Sequence, residues 1–368
     1  AILSSTLSKT PVLPLFAQSL GATPAEIGWI VMASTLPGVL VSFPAGALSD
    51  FLGRRRVLLA SLFVFATAPF LYLIVENAWQ LMAVRFYHGF ATAIFGTVAS
   101  AAIAARYVDD RAARLSAYSS ITIVGRSAAP FLGGLLISLA SFGAVYVACA
   151  VSGVLALVAG WGLRDGAPPA SAKLALPDFR SSLITVLRDR GILLVSLVEA
   201  AQYLVFGAIE AFLALYAASL GIPAWQIGII LGVQLVSIVF AKPLMGRLSD
   251  RVGRRQVILP GLLLGAASVA LLPFFHGFLA LAALSLLFGV GFATVTSSTS
   301  ALVADLTRNQ QYGSSMGVLR TVMDVGQSIG PLLTGWVVGL AGYASAFALL
   351  AGVLAGAALL IGAGLRRA

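Results

Sequence analysis

Eight ionisable side chains sit inside apolar stretches of this sequence, and their chemistry asks for an explanation. They are Lys9, Arg85, Arg126, Glu199, Glu210, Lys242, Arg320 and Asp324. A charge at mid-bilayer costs about 2.5–3.5 kcal/mol on insertion scales, so each needs a partner, an aqueous cavity or a function. Arg320 and Asp324 are four apart and share a helix face, which suits a self-neutralising pair or a coupling role. Lys242 lies about one turn from a basic loop and can snorkel to the interface. Glu199, about two turns into its apolar stretch, is expected within reach of water.

The elements that hold these charges must be membrane helices. Of 368 residues, 60% are hydrophobic and only 10% charged, and the mean hydropathy is +1.00. A water-facing surface needs about 25% charged residues. A bilayer crossing needs about 20 apolar residues. Apolar runs broken at charges and turn residues predict twelve crossings, at 1–20, 25–49, 56–76, 78–105, 112–140, 143–163, 191–219, 225–248, 256–275, 278–304, 313–340 and 343–365. The first residues already read as helix, without Met or a basic lead, so a short segment is expected to precede Ala1.

The net charge of +10 comes from 23 Lys and Arg against 13 Asp and Glu. In a soluble protein that excess would raise nucleic-acid binding. Here the basic residues cluster in alternate short loops, around Arg54–Arg56, Arg106–Arg114, Arg251–Arg255, Arg308 and Arg366. The intervening loops, such as Gly21–Glu26 and Gly221–Ala224, carry no Lys or Arg. Positive loops stay inside, which predicts cytoplasmic termini and an even number of crossings. The lone Cys149 and the two distant histidines, His88 and His276, predict no disulfide, metal centre or cofactor. No glycine-rich phosphate loop is present to suggest drive by ATP.

A polar, proline-broken stretch at 164–190 divides the chain into predicted bundles of six helices, 1–163 and 191–368. The halves share a string at a spacing of 200 residues. Gly46, Leu48, Asp50, Gly53, Arg54 and Arg55 recur as Gly246, Leu248, Asp250, Gly253, Arg254 and Arg255. Small residues let helices approach closely, glycine allows a tight turn, and the aspartates can pair with nearby arginines. With Asp305, these residues suit a latch on the cytoplasmic face, or a device that only orients the loop. Such a parallel repeat is one of the architectures of secondary transporters.

These residues identify the chain as similar to the major facilitator superfamily. The repeated string resembles that superfamily's motif between its second and third spans. Leu81, Arg85, His88 and Gly89 resemble its fourth-span motif, with His88 where Gln is usual. Gly125, Ala129, Pro130, Gly133 and Gly134 resemble the fifth-span motif of its proton-coupled drug antiporters, and Pro11 with Pro14 their first-span motif. Gly326, Gly330, Pro331 and Gly335 echo the fifth-span pattern in the second half. Proline bends a helix and small residues pack it tightly, which suits a seal and pivot or packing alone.

The resemblance implies an all-α fold of two pseudo-symmetric six-helix bundles, in which spans one and seven face each other. Glu210 falls on position 10 of the repeat, beside Lys9, so the two are expected at matching depth. Burial disfavours a charged carboxylate and a nearby ammonium favours it, which leaves the state of Glu210 open. The resemblance also implies proton transfer near Arg85. Glu210, Asp324, Arg85, Lys9 and Glu199 are the coupling or gating candidates. Lys9, Arg85, His88, Arg126, Glu210, Tyr203 and Phe206 are the cavity candidates, although aromatics at helical spacing are more often packing or lipid-facing.

The function expected is alternating-access export of a small organic substrate against protons, by a monomer in a bacterial inner membrane, surrounded by lipid. An importer or facilitator of an organic anion or zwitterion is the alternative that Lys9, Arg85 and Arg126 favour. An intramembrane enzyme would need a nucleophile and base, or metal ligands, that this composition poorly supplies. A non-transporting receptor fits less well with eight costly charges.

Overall fold

Glycine and proline set where the helices of this protein begin and end. The computed structural model describes residues 2–107, 110–163, 189–307 and 312–364. Within these, the side chains of 2, 39–48, 50–51, 105, 112, 312–314, 317 and 364 lie outside the described set. Most of the predicted linker, together with the side-chain positions of Gly46 and Asp50, therefore lies outside it.

The first crossing is broken. Helix α1 (Ile2–Leu7) and helix α2 (Val12–Ser19) are parted by a turn at 8–11. Pro11 has no amide hydrogen to give to the ladder, so the helix restarts beyond it. Helix α3 (Pro24–Leu52) starts at a capping box: Glu26 accepts from the Thr23 amide at 2.8 Å, and Thr23 accepts from the Glu26 amide at 3.3 Å. Helices α4 (Arg54–Tyr72), α5 (Ala78–Arg106), α6 (Arg111–Leu139) and α7 (Phe142–Trp161) follow. Asn77 and Ser141 cap α5 and α7.

The second half repeats the plan. Asp189 accepts from the amides of Gly191 and Ile192 at the start of α8 (Arg190–Ser219). Helices α9 (Ala224–Val252), α10 (Arg254–Leu271) and α11 (Phe278–Leu306) come next. Helix α12 (Tyr312–Gly364) is two helices joined at Gly342, whose φ of 79° breaks the run. At 1.5 Å per residue such a length makes two crossings rather than one. With α1 and α2 as one broken crossing, the fold has the predicted twelve. Among the described residues, nine helices meet the length and hydropathy of a membrane span; that reckoning takes the long stretch from Val318 to Ala363 as one.

The 200-residue spacing holds in the backbone as well as in the string. Helix α3 ends at 52 and α9 at 252, α4 starts at 54 and α10 at 254, and α5 and α11 run over 78–106 and 278–306. Gly53 and Gly253, with φ of 90° and 108°, make the same left-handed turn that other residues rarely adopt. The protein thus consists of two related sets of six helices. By packing it separates into two compact units, Ala1–Ala172 with Gly221–Gly232, and Lys173–Leu220 with Val233–Ala368. The first turns of α9 join the first unit through glycine. A Cβ at Gly134 would stand 2.4 Å from the Ala224 carbonyl, and one at Gly228 would stand 2.4 Å from that of Pro130. Only hydrogen fits there.

Candidate functional site

Among the described residues, each unit buries a polar cluster in its apolar interior. In the first, the turn at 8–11 presents the Ser8 carbonyl, and Arg85 on α5 reaches it. Its Nη1 donates to Tyr72 Oη at 3.1 Å, to the Ser8 carbonyl at 3.4 Å and to Ser8 Oγ at 3.5 Å. Tyr72 Oη lies 3.2 Å from His88 Nδ1, one turn further along α5. Tyr72 stacks on Tyr146 at 4.5 Å, and Phe65 meets the His88 ring edge-on at 5.6 Å. Arg85 is 1% exposed, yet its described hydrogen bonds all go to neutral groups. Among the described residues, Arg85 Nε, His88 Nε2 and Tyr146 Oη have no hydrogen-bond partner. A permanent cation is thus held out of water by dipoles alone.

The second unit hides an acid instead. Ser196, Glu199 and Gln202 recur every three residues along one face of α8, which packs on α11. Glu199 is 0% exposed, and its Oε2 contacts the Thr299 hydroxyl. That hydroxyl also lies 2.9 Å from the Val295 carbonyl. Among the described residues, Glu199 Oε1, both amide atoms of Gln202, and the hydroxyls of Ser196, Thr296 and Ser298 have no hydrogen-bond partner. Toward the basic loops an apolar cluster of Ile192, Val195, Val303, Val318 and Leu319 closes the layer. Toward the other end Tyr203, Phe206 and Phe292 pack together, with Phe206 and Phe292 at 4.4 Å. These two plugs overturn the expectation that water reaches Glu199. The charge of Lys242, exposed on α9, acts on its carboxylate.

The structure places the remaining predicted residues apart from these clusters or at their margins. Lys9 and Glu210 are half-buried, each in its own unit. Lys9 adds a second positive charge near His88. Arg126 is exposed on α6, as are Arg320 and Asp324 on α12. Arg320 and Asp324 act on each other through space, and none of the described ion pairs joins them. Phe206 is buried against Phe292 and Tyr203 lies beside it, so both are packing residues in this conformation. Trp29 and Phe86 line an apolar cavity of about 610 Å³ between α3 and α5, with Met32, Trp79 and Met82.

The repeated string builds its contacts in the second unit as its spacing suggests. Arg254 pairs with Asp250, with Asp305 at 2.9 Å, and donates to Ser249 Oγ at 3.3 Å. In the first unit Arg54 donates to the Ala101 carbonyl at 3.3 Å. Gly246 is no close-approach position, since a Cβ there would meet only the Ser297 Cβ, at 4.0 Å. The close approaches lie in the helix-bend motifs. Besides Gly134 near Pro130, a Cβ at Gly326 would meet the Ala200 carbonyl at 2.4 Å, and one at Gly330, before Pro331, that of Leu204 at 2.0 Å.

Two features escaped the sequence reading. Thr294, Thr296, Ser297, Ser298, Thr299 and Ser300 form a hydroxyl-rich run on α11, visible in the sequence, that supplies Thr299, the partner of Glu199. The second arginine of each string caps a helix C-terminus: Arg55 donates to the Trp161 carbonyl at 3.2 Å, and Arg255 to that of Gly362.

Known proteins agree with this architecture. The sequence pattern of the Major Facilitator Superfamily matches residues 2–225 and 195–367. An uncharacterized MFS-type transporter of Methanocaldococcus jannaschii is 24% identical over 341 residues, covering 92% of this chain and 88% of that protein. The multidrug resistance protein MdtG of Salmonella arizonae is 24% identical over 355 residues, covering 94% and 87%. The fold is shared with the crystal structure of the nucleoside transporter NupG, at a TM-score of 0.85, 15% identity and coverage of 98% and 97%. The twelve crossings, the repeated string and these matches lead to one statement: this chain belongs to the Major Facilitator Superfamily of membrane transporters.

Proposed function

We propose that this transporter exports a small organic substrate by alternating access, driven by inward proton flow. The observation that carries the reading is Glu199. It is sealed between two apolar plugs, and the Thr299 hydroxyl has one proton for two acceptors, Glu199 Oε2 and the Val295 carbonyl. A proton on Glu199 satisfies both contacts at once and leaves the layer uncharged. The relationship to MdtG supports drug-like cargo and the outward direction. Glu210 and Asp324 serve as further coupling carboxylates, and Lys9 and Arg85 as the cations that alternate with them. The arginine loops support an orientation with both termini cytoplasmic, in a bacterial inner membrane, and the transporter works as a monomer.

The test is substrate-driven proton flux in proteoliposomes. Export should carry protons in the opposite direction, and Glu199→Gln should abolish that flux while the protein stays folded. Substrate movement with no proton movement would reject the reading. A second reading, uptake of an organic anion or zwitterion, is favoured by Arg85, whose described partners are all neutral. It expects carboxylate-bearing solutes to compete for transport, with loss of competition in Arg85→Met.

A further inference from the structure

We propose that the buried layer around Glu199 is a sodium-binding site. The inference rests on the reading of Glu199 as a coupling residue and adds a second ion to it.

The donor set is that of a hard monovalent cation. Hard cations take oxygen ligands, about six of them. Glu199 supplies two carboxylate oxygens; Thr299, Thr296 and Gln202 supply neutral ones, and Ser196 another one turn away along α8. Register brings them together. Helices α8 and α11 cross in opposite senses, and contact between Glu199 and Thr299 pins them. Gln202 and Thr296 are each three residues from that contact in the same direction, about 4.5 Å along the axis. Both are buried, and among the described residues neither has a hydrogen-bond partner.

A fully satisfied interior would not leave so many polar atoms orphaned around one acid, because each orphan costs about 1–3 kcal/mol. Water alone would satisfy the neutral oxygens and leave the carboxylate charge uncompensated. One Na⁺ makes the layer neutral, and the layer lies between Val195, Val303 and Leu319 on one side and Phe206 and Phe292 on the other. A divalent or transition metal does not fit, since no group of three or more His, Cys, Asp or Glu ligands exists among the described residues. Lys242 on α9 is the neighbouring charge that acts on Glu199. It opposes a second cation and weakens Na⁺ without preventing it. Glu210 lies about three turns further along α8; Asp305 on α11 and Arg320 and Asp324 on α12 are solvent-exposed, and Arg254 and Arg255 on α10 make their contacts at its loop end.

Binding of radioactive Na⁺ to the purified full chain in detergent tests this, with choline chloride as the inert salt. Saturable binding is expected. Glu199→Gln should abolish it, Gln202→Leu and Thr296→Ala should each weaken it at least about threefold, and Lys242→Met should tighten it by a similar factor. Melting temperature in NaCl against choline chloride gives a second readout for any variant of low yield. No saturable Na⁺, or unchanged binding in Glu199→Gln, overturns the proposal. Its failure is distinct from failure of proton coupling: proton flux that persists in sodium-free choline medium, without Na⁺ binding to the wild type, sinks this site and leaves the coupling reading intact.

Discussion

From α3 to α5 and from α9 to α11 the two halves share their helix bounds almost to the residue, and they put their polar groups at opposite ends of them. Tyr72, Arg85 and His88 in the first repeat correspond to Leu272, Ser285 and Phe288 in the second. Thr296, Ser298 and Thr299 in the second correspond to Gly96, Val98 and Ala99 in the first, where Val98 and Ala99 pack with Val57 and Leu58. Arg85 is seven residues from the start of α5, and Thr299 is seven from the end of α11; each is about 10 Å from its helix end. Where the first unit buries a fixed cation, the second has Ser285 donating to Gln234 at 3.1 Å. One scaffold has therefore been loaded twice, once with a buried guanidinium and once with a buried carboxyl group. The lesson is that helix bounds and glycine turns are the conserved cost of the fold, while the polar layer of each repeat is free to differ.

The sharpest way to break this contrast is Arg85→Met. Methionine fills similar volume, and no carboxylate among the described residues depends on Arg85. Replacing an uncompensated buried charge by a packed apolar side chain is neutral or stabilising. We expect the melting temperature to hold or rise while substrate flux falls about 100-fold, equal to about 2.7 kcal/mol. A variant that unfolds would show that Arg85 holds the bundle together rather than serving transport.

The next test moves a group between the repeats. Phe288→His puts an imidazole into the second unit opposite Leu272, which has no hydroxyl to offer. An unpaired buried polar ring should cost about 2 kcal/mol in chemical unfolding. Adding Leu272→Tyr supplies the missing partner and should recover about 1 kcal/mol, read as the coupling in a double-mutant cycle. No coupling would mean that the two repeats differ in more than side chains at this layer.

Much of this was legible in the sequence, and the reason is period and punctuation. Apolar runs, arginine loops and the repeated string fix twelve crossings and their pairing, because lipid forces every backbone group into helix. The broken first crossing was not, although Pro11 was in view, since proline bends some membrane helices without stopping them. Glu199 was found as an acid but set in water, because its seal comes from residues far away in sequence, Val303, Leu319 and Phe292. Tyr72 and Tyr146 went unnoticed for the same reason: a lone tyrosine in an apolar run gives no sign that it will meet Arg85. Arg126 and Phe206 show the converse, a charge and an aromatic that spacing made candidates and that the fold leaves exposed or packed.

A smaller effect is expected from Thr299→Ala, which installs the residue that the first repeat carries at Ala99. It removes the hydroxyl shared by Glu199 and the Val295 carbonyl. The helix keeps its own ladder, so the loss is one side-chain hydrogen bond, about 1 kcal/mol in stability. The pH dependence of transport should move while the maximal rate stays within about fivefold. A change in rate alone, with the pH profile fixed, would detach Thr299 from the coupling acid.

The smallest effect belongs to the loop string, where the halves look most alike in sequence. Arg254 holds Asp305 at 2.9 Å, but the Asp305 side chain is 55% exposed and that of Asp250 61%. Exposed ion pairs contribute about 0–1 kcal/mol and are screened by salt. Asp305→Asn should therefore change unfolding stability by less than about 1 kcal/mol, and by less again in high salt. If the string latches one conformation, the same small energy appears elsewhere: a tilt of about 1 kcal/mol between two nearly balanced states shifts their ratio about fivefold. Labelling of a cysteine introduced at the exposed Ile121 of α6 would read that shift, with stability as the control. Equal labelling in Asp305→Asn and the parent would reduce the string to a device for orienting its loop.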